Sequence, residues 1–188
     1  MKKLKILFGS FLTVLFISCE GPEGPPGFDG FDGEDGRDGR EATVIEVENV
    51  NFSYEDANNW YTTRITFGDL SNLEIRQSDA ILVYRFDGTV DLTDGPADNW
   101  SPLPQNFFLD QGTIQYTFAH NFVDMDMFID GNFDLIDLNT DFTQEQIFRI
   151  VIVPGQFDTT GKFDTSNINA VMGKYGISEA DVLKMRLE

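Results

Sequence analysis

The chain has few of the side chains that carry out chemistry. Its 188 residues include one cysteine and one histidine. One cysteine excludes an internal disulfide, and the two counts together exclude a zinc site of the Cys/His type. A nucleophile activated by histidine would have to use His120, which lies at the end of a predicted aromatic strand. We therefore expect no catalytic residue and no enzymatic activity.

Basic residues are also scarce. Lysine and arginine together number 13, against 32 aspartates and glutamates, which gives a formal net charge of −19. Nucleic acids and anionic lipid headgroups attract basic surfaces, so neither is an expected partner. After the first residues, no uninterrupted apolar run is long enough for a transmembrane helix. Divalent cations and basic partners remain compatible with this charge.

The first eighteen residues have the composition of a secretory signal peptide. Three lysines precede an apolar stretch of twelve residues, Ile6 to Ile17, which is too short for a stable membrane-spanning helix. The stretch Leu15 to Cys19 resembles the lipobox of bacterial lipoproteins. The resemblance implies cleavage before Cys19 and attachment of lipid to its thiol. Stable anchoring needs more than one acyl chain, and lipoprotein acylation supplies them.

A glycine repeat begins two residues after this cysteine. Residues 21–41 read as seven consecutive Gly-X-Y triplets, a collagen-like pattern, since only glycine fits where three chains meet on one axis. The glycines predicted to lie on that axis are Gly21, Gly24, Gly27, Gly30, Gly33, Gly36 and Gly39. Residues 19–41 are thus a stalk in a homotrimer or, alternatively, a flexible acidic linker.

Residues 42–188 form the third predicted segment, a single domain. Its apolar residues mostly alternate with polar ones or occur in short runs, which is typical of strands. The runs Ala80 to Phe86 and Ile147 to Val153 are apolar enough to be buried on both faces. Six to eight such strands without intervening helices favour an antiparallel β-sandwich in a mainly β domain.

The end of the chain changes to a helical period. Ile168, Val171, Met172 and Tyr175 fit one helical stripe, and Gly176 is a C-terminal stop. Ser178 is then an N-cap residue for a second helix. We expect two short C-terminal helices that close an open end or edge of the sandwich.

Two stretches partly match known ligand-binding motifs, but each match is incomplete. The stretch from Gly155 to Lys162 resembles a phosphate-binding loop, yet its glycine spacing is one residue too long and Phe163 follows the lysine. The loop around Asp137 starts like an EF-hand but lacks its glycine and glutamate. A looser calcium site on Asp130, Asp134 or Asp137 remains an alternative to solvated turns, and no other metal or cofactor is expected.

Two tryptophans lie beside Asn/Asp-rich turns. Trp60, followed by Tyr61, and Trp100 are placed where an aromatic ring either caps the domain core or offers a surface for stacking a sugar or binding a protein. The sequence favours the capping role and leaves the binding role open.

The first quarter of the chain resembles the collagen-like lipoproteins of Gram-negative cell envelopes. This rests on the lipobox-like stretch and the triplets from Gly21 to Arg40. The resemblance implies an outer-membrane lipid anchor, and surface display is favoured by Glu20 and Glu23, with a periplasm-facing orientation as the alternative. We expect a non-enzymatic envelope protein whose domain serves structural or adhesive contacts with an envelope or extracellular partner. A glycan- or calcium-binding surface module is the alternative.

Overall fold

The computed structural model describes residues 41–70, 75–155 and 164–187. These residues all belong to the compact unit Asp38–Glu188. The predicted signal peptide (residues 1–18), Cys19 and the seven repeat glycines lie outside the described residues. The statements about them therefore stay predictions. The structure therefore concerns the predicted domain.

The described residues fold mainly as β-structure. The ten strands are β1 (Thr43–Val50), β2 (Ser53–Glu55), β3 (Trp60–Thr66), β4 (Ala80–Leu92), β5 (Gly95–Pro102), β6 (Gln105–Leu109), β7 (Gly112–His120), β8 (Asp124–Gly131), β9 (Gln146–Val153) and β10 (Leu183–Arg186). The helices are α1 (Phe67–Leu70), α2 (Thr140–Thr143) and α3 (Ile168–Lys174), with a 3-10 turn at Glu179–Asp181. The expectation of a mainly β domain with few helices is confirmed.

The strands form two five-stranded sheets. The first sheet has the order β10-β1-β9-β4-β5, and the second has the order β2-β3-β8-β7-β6. Every pairing is antiparallel except that of β1 with β10. The two runs predicted to be buried on both faces become β4 and β9, which are hydrogen-bonded neighbours inside the first sheet. Their position explains their continuous apolar sequence, because neighbouring elements cover both of their faces.

Both sheets contribute to one hydrophobic core. Period-two alternation turns Ile45 and Val47 of β1 and Met125 and Met127 of β8 into this core, where each is at most 1% exposed. Tyr116 of the second sheet contacts Phe148 of the first, with ring centroids 6.4 Å apart. Burial of these large side chains is the main favourable term in the stability of a domain without disulfides.

A second, smaller core covers the outer face of the first sheet. Helix α3 places Val171 and Met172 against Tyr84 and Val151, whose side chains point away from the main core. The Tyr84 hydroxyl donates a hydrogen bond of 2.6 Å to the carbonyl of Thr165, just before the helix. Helix α3 therefore covers a sheet face, whereas the sequence predicted that it would close an end or an edge.

The C-terminal segment differs from its prediction in one further respect. The second short helix is a single 3-10 turn, in which both the backbone N–H and the hydroxyl of Ser178 donate to the carboxylate of Asp181. The chain then enters β10, which pairs in parallel with β1 in the register Ile45 to Leu183. The four residues of β10 show too little alternation to reveal a strand, because an edge strand has few buried positions.

An ion cluster centred on the buried side chains of Arg149 and Glu46 joins this segment to the sheet. The guanidinium of Arg149 lies 2.9 Å from the carboxylate of Glu46 and 2.6 Å from that of Glu179. The ammonium group of Lys184 also forms an ion pair with Glu46, at 2.9 Å. Arg149 is among the largest fully buried side chains of the described residues. The sequence shows Arg149 only as an interruption of an apolar strand, and the ion cluster explains why a charge is tolerated there.

Candidate functional site

The outward face of the second sheet carries the most distinctive exposed cluster in the described residues. On β3, Trp60, Thr62 and Arg64 alternate with residues that point into the core. On β8, Asp126 and Phe128 do the same. Antiparallel register places Thr62 opposite Phe128 and Arg64 opposite Asp126, so these side chains lie side by side. Glu55 of β2 pairs with Trp60 and completes the cluster. We call these six residues the Trp60 face.

An aromatic pair forms the centre of the Trp60 face. The rings of Trp60 and Phe128 have centroids 5.0 Å apart and are tilted by 46°. Both side chains are partly buried, so part of each ring remains accessible. The indole Nε1–H of Trp60 donates to the carboxylate of Glu55 on the neighbouring strand. This hydrogen bond fixes the orientation of the indole ring.

A charged pair forms one side of the face. Arg64 donates from Nε to Asp126 Oδ1 at 2.6 Å and from Nη2 to Oδ2 at 2.9 Å, a bidentate geometry. A second carboxylate, Asp124, lies 3.8 Å from Arg64 Nε. The hydrogen bond from Arg64 lowers the pKa of Asp126 below its usual value, so this carboxylate is ionised at neutral pH. The side chain of Arg64 is 63% exposed, and its remaining N–H groups are therefore accessible.

These residues line an open groove of about 650 Å³. Carboxylate oxygens, a threonine hydroxyl and guanidinium N–H groups lie beside the tilted aromatic pair within it. Such a mixture of rings and a few fixed polar groups is typical of ligand sites. The arrangement suits reversible binding, since it supplies hydrogen bonds and a stacking surface.

The two tryptophans singled out by the sequence have different environments. Trp60 lies on the exposed face just described, whereas Trp100 of β5 packs on the outer face of the first sheet. The ring of Trp100 contacts Phe86 at 5.2 Å and the guanidinium of Arg149 at 4.2 Å. Tyr61, next to Trp60, is buried in the main core. Trp100 therefore packs on the smaller core, as the capping role predicts, whereas Trp60 lies in the exposed cluster of the second sheet.

The residues of the alternative calcium site do not form a ligand cluster. Asp130, Asp134 and Asp137 are all exposed. Asp130 accepts a hydrogen bond from the backbone N–H of Gly131, and Asp134 accepts one from that of Ile136. Across residues 41–70, 75–155 and 164–187, no group of three or more His, Cys, Asp or Glu side chains could hold a metal ion. The calcium alternative gains no support from this geometry.

His120 and the phosphate-loop resemblance are the remaining candidates of the sequence. His120 is exposed, its ring stacks on Phe118 at 6.1 Å, and its Nδ1 lies 3.4 Å from the carbonyl of Asn121. Most of the rejected phosphate-loop resemblance, residues 156–163, lies outside the described residues. Cys19 and the repeat glycines do as well.

Sequence reasoning identified Trp60 but missed its partners. Asp126 lies on the polar side of β8, whose other side carries the buried Met125 and Met127. Nothing local indicates that Asp126 faces Arg64 or that Phe128 faces Trp60, because those neighbours lie more than sixty residues apart in the sequence. Only the β3–β8 register brings them together.

Comparison with protein-family models, curated proteins and solved structures found no match to this chain. In the part of the chain that the structure describes, no helix is long and apolar enough to cross a membrane. The functional inference therefore depends on the motifs of the sequence and on the geometry of the Trp60 face.

Proposed function

We propose that this protein is a lipid-anchored component of the cell envelope whose stalk presents the β-rich domain for structural or adhesive contacts. The order of segments carries the proposal: a lipobox-like stretch, seven Gly-X-Y triplets, and a folded domain. Strand β1 begins at Thr43, two residues after the repeat ends.

The stalk has two proposed forms. As a triple helix, 21 residues at about 3.1 Å each would hold three domains roughly 65 Å from the anchor. Lipid anchors at one end would raise the local concentration of chains and favour the homotrimer. As a flexible linker, the same residues would leave each domain free to reorient. Either form makes the segment a spacer between membrane and domain.

For the domain we propose a β-sandwich in which the two sheets are its layers. The shared hydrophobic core supports this, since residues from both sheets are packed into it. A non-enzymatic role is proposed with it, because a sandwich layer presents a broad outward face suited to contact. We place the anchor in the outer membrane with the domain facing outwards, and a periplasm-facing domain is the alternative.

Lipid attachment at Cys19 is tested by mass spectrometry of the full chain expressed in a Gram-negative host. The expected product begins at Cys19 and carries the added mass of its acyl chains. A Cys19→Ala variant is the matched control and should remain unprocessed. Recovery of the unaltered chain with residues 1–18 still attached and no fatty acid would refute the anchor.

The stalk is tested by the solution mass of residues 19–188 compared with residues 42–188. A trimer that depends on the repeat supports the triple helix. If both chains are monomers, the triple helix is refuted and the flexible linker remains. The proposals of a lipid anchor and a displayed domain are not affected by that result.

A further inference from the structure

We propose that the Trp60 face binds neutral glycans, with a sugar ring stacked on Trp60 and Phe128 and hydroxyls bound by the flanking charged groups. The inference names the class of partner for the adhesive role proposed above and rests on that role for its biological setting. Binding itself depends only on Glu55, Trp60, Thr62, Arg64, Asp126 and Phe128.

The aromatic pair supplies the surface for a sugar ring. A pyranose has faces made of C–H groups, which gain dispersion energy and weak C–H contacts against the flat side of an aromatic ring. The rings of Trp60 and Phe128 lie 5.0 Å apart, and their 46° tilt makes a shallow trough instead of a flat plate. A trough of this kind fits a ring with hydroxyls around its edge.

The charged groups supply acceptors and donors for hydroxyls. The carboxylates of Glu55 and Asp126 both line the groove, and each can accept hydrogen bonds from sugar hydroxyls. The exposed guanidinium of Arg64 supplies donors beyond the two that it gives to Asp126. Hydrogen bonds that involve charged groups are stronger than neutral ones, so a few of them orient the ligand.

The charge of the face favours a neutral ligand. Glu55 and Asp126 line the groove with the cation Arg64, and a third carboxylate, Asp124, lies 3.8 Å from Arg64 Nε. An anionic glycan or a nucleic acid would meet a surplus of negative charge in a strongly acidic protein. The uncharged hydroxyl groups of a neutral glycan find hydrogen-bond acceptors on this face and are not repelled by its negative charge.

The side chains of the face are held in place before any ligand binds. Trp60 donates to Glu55, Arg64 is bidentate on Asp126, and Thr62 Oγ1 donates to the Met127 carbonyl at 3.1 Å. Side chains that are already fixed lose little rotamer freedom on binding, which favours affinity. This order distinguishes the face from an ordinary solvated sheet surface.

The most exposed large apolar side chains lie elsewhere. Phe108 of the edge strand β6 is 85% exposed and Leu92 of the β4–β5 hairpin is 59% exposed. Neither residue lines the Trp60 groove. A protein-binding face would be expected to centre on such side chains, whereas the Trp60 face combines two partly buried rings with charges.

The test is native affinity electrophoresis of the full-length protein in a zwitterionic detergent without a sugar headgroup. Gels contain a soluble mixed-linkage β-glucan, xyloglucan or mannan, and a polygalacturonate gel tests an anionic glycan. We expect at least one neutral polysaccharide to retard the protein and polygalacturonate to leave it unretarded. The retarding polysaccharide should also change the tryptophan fluorescence, because Trp60 is accessible and stacks on it.

Variants assign the binding to this face. Trp60→Ala should weaken retardation by about tenfold, as expected for an aromatic anchor. Arg64→Gln, at an exposed position that leaves the core intact, should weaken it by about fivefold. Phe108→Ala removes an exposed aromatic outside the groove and should leave retardation unchanged. Trp100→Phe should keep the fluorescence change, and Trp60→Phe should lose it.

Three results would overturn the proposal: no retardation by any of the three neutral polysaccharides, retardation by polygalacturonate alone, or equal retardation of folded Trp60→Ala and Arg64→Gln variants and the parent protein. None of these readouts depends on the anchor. An unmodified Cys19 would refute the envelope role and leave glycan binding intact, so the two failures are distinguishable.

Discussion

The guanidinium carbon of Arg149 lies 4.2 Å from the centroid of the Trp100 ring, on the outer face of the first sheet. The same guanidinium donates to Glu46 of β1 and to Glu179 of the 3-10 turn. One side chain of β9 thus joins three separate parts of the chain. This contact network attaches the C-terminal segment to the sheet.

Replacement of Arg149 alone should be strongly destabilising. In Arg149→Met the Glu46 carboxylate, which is only 6% exposed, loses its buried counterion and keeps only the exposed Lys184. Removal of one partner of a buried ion pair costs about 3–5 kcal/mol, and because Lys184 offsets part of this, the free energy of unfolding in urea should fall by up to that amount. Arg64→Met is the matched control. It breaks an exposed bidentate pair on the other sheet and should cost at most about 1 kcal/mol.

The double variant Arg149→Met with Glu46→Gln distinguishes the cost of an unpaired buried charge from the cost of lost side-chain packing. Because it removes the buried charge on both sides, it should recover much of the stability that Arg149→Met loses. If the double variant were as unstable as the sum of the single ones, the cluster would owe its effect to packing alone.

Two buried tyrosines should make the domain sensitive to alkali. Burial raises the pKa of Tyr116 to about 12, and burial together with the charge of Asp164 raises that of Tyr84 to about 12. Both phenols have an ordinary pKa of 10.0 in the unfolded chain. Below pH 10 neither state loses these protons, so the full stability is present. As the pH rises towards 12, the unfolded chain ionises first and the free energy of unfolding falls.

Each of these tyrosines should contribute a loss of about 2–3 kcal/mol by pH 12. Urea unfolding at several pH values measures the slope, and Tyr116→Phe and Tyr84→Phe should each remove part of it. The phenylalanine variants also lose the hydrogen bonds to the carbonyls of Phe142 and Thr165, so the pH dependence is the informative quantity. An unchanged slope in both variants would show that other groups titrate.

Two glycines should respond in opposite ways to alanine. A Cβ on Gly155 would lie 2.1 Å from the backbone oxygen of Ser78, a clash that requires the backbone to move. Gly173 in helix α3 is exposed and has nothing within 4 Å of its Cβ position. Gly155→Ala should therefore lower the thermal midpoint, while Gly173→Ala should raise stability by about 0.5–1 kcal/mol through helix propensity. Calorimetry of the two variants side by side tests the contrast.

Removal of the last strand should expose an edge of the first sheet. Truncation after Val182 deletes β10 and the hydrogen bonds that Leu187 makes with Glu48 and Asn49. It also removes Met185 and Leu187 from the core, so we expect a loss of about 2 kcal/mol or more. The free edge of β1 should favour association between chains. Light scattering and unfolding curves measure the two effects, and a stable, monodisperse truncated protein would contradict them.

The sequence predicted the strands that lie inside the sheets better than those at the edges. Runs such as Ile147 to Val153 are recognisable because both of their faces are buried. Strands β2 and β10 have only three and four residues, and their pairing depends on partners far away in the chain. Short edge strands carry little local signal, so they emerge only from the assembled sheet.

The candidate site was only partly predictable for the same reason. Trp60 attracts attention in the sequence as an aromatic residue beside a polar turn. Glu55 is near Trp60 in the sequence, but Asp126 and Phe128 come from a strand more than sixty residues later. A one-residue slip in the β3–β8 register would point these side chains towards the core, and the site would be lost.

The sequence alone determined the order of segments: a lysine-containing apolar start with a lipobox-like end, a repeat of seven glycines, and an acidic stretch with strand-like alternation. These features are local, since charge, glycine period and apolar alternation can be counted along one stretch of chain. The tertiary structure decided which charges are buried and which aromatic rings stay accessible. Arg149 and Arg64 are both arginines on strands, yet one is buried beneath helix α3 and the other is exposed beside Trp60. The difference arises from what packs over each sheet face, and that depends on contacts between distant residues.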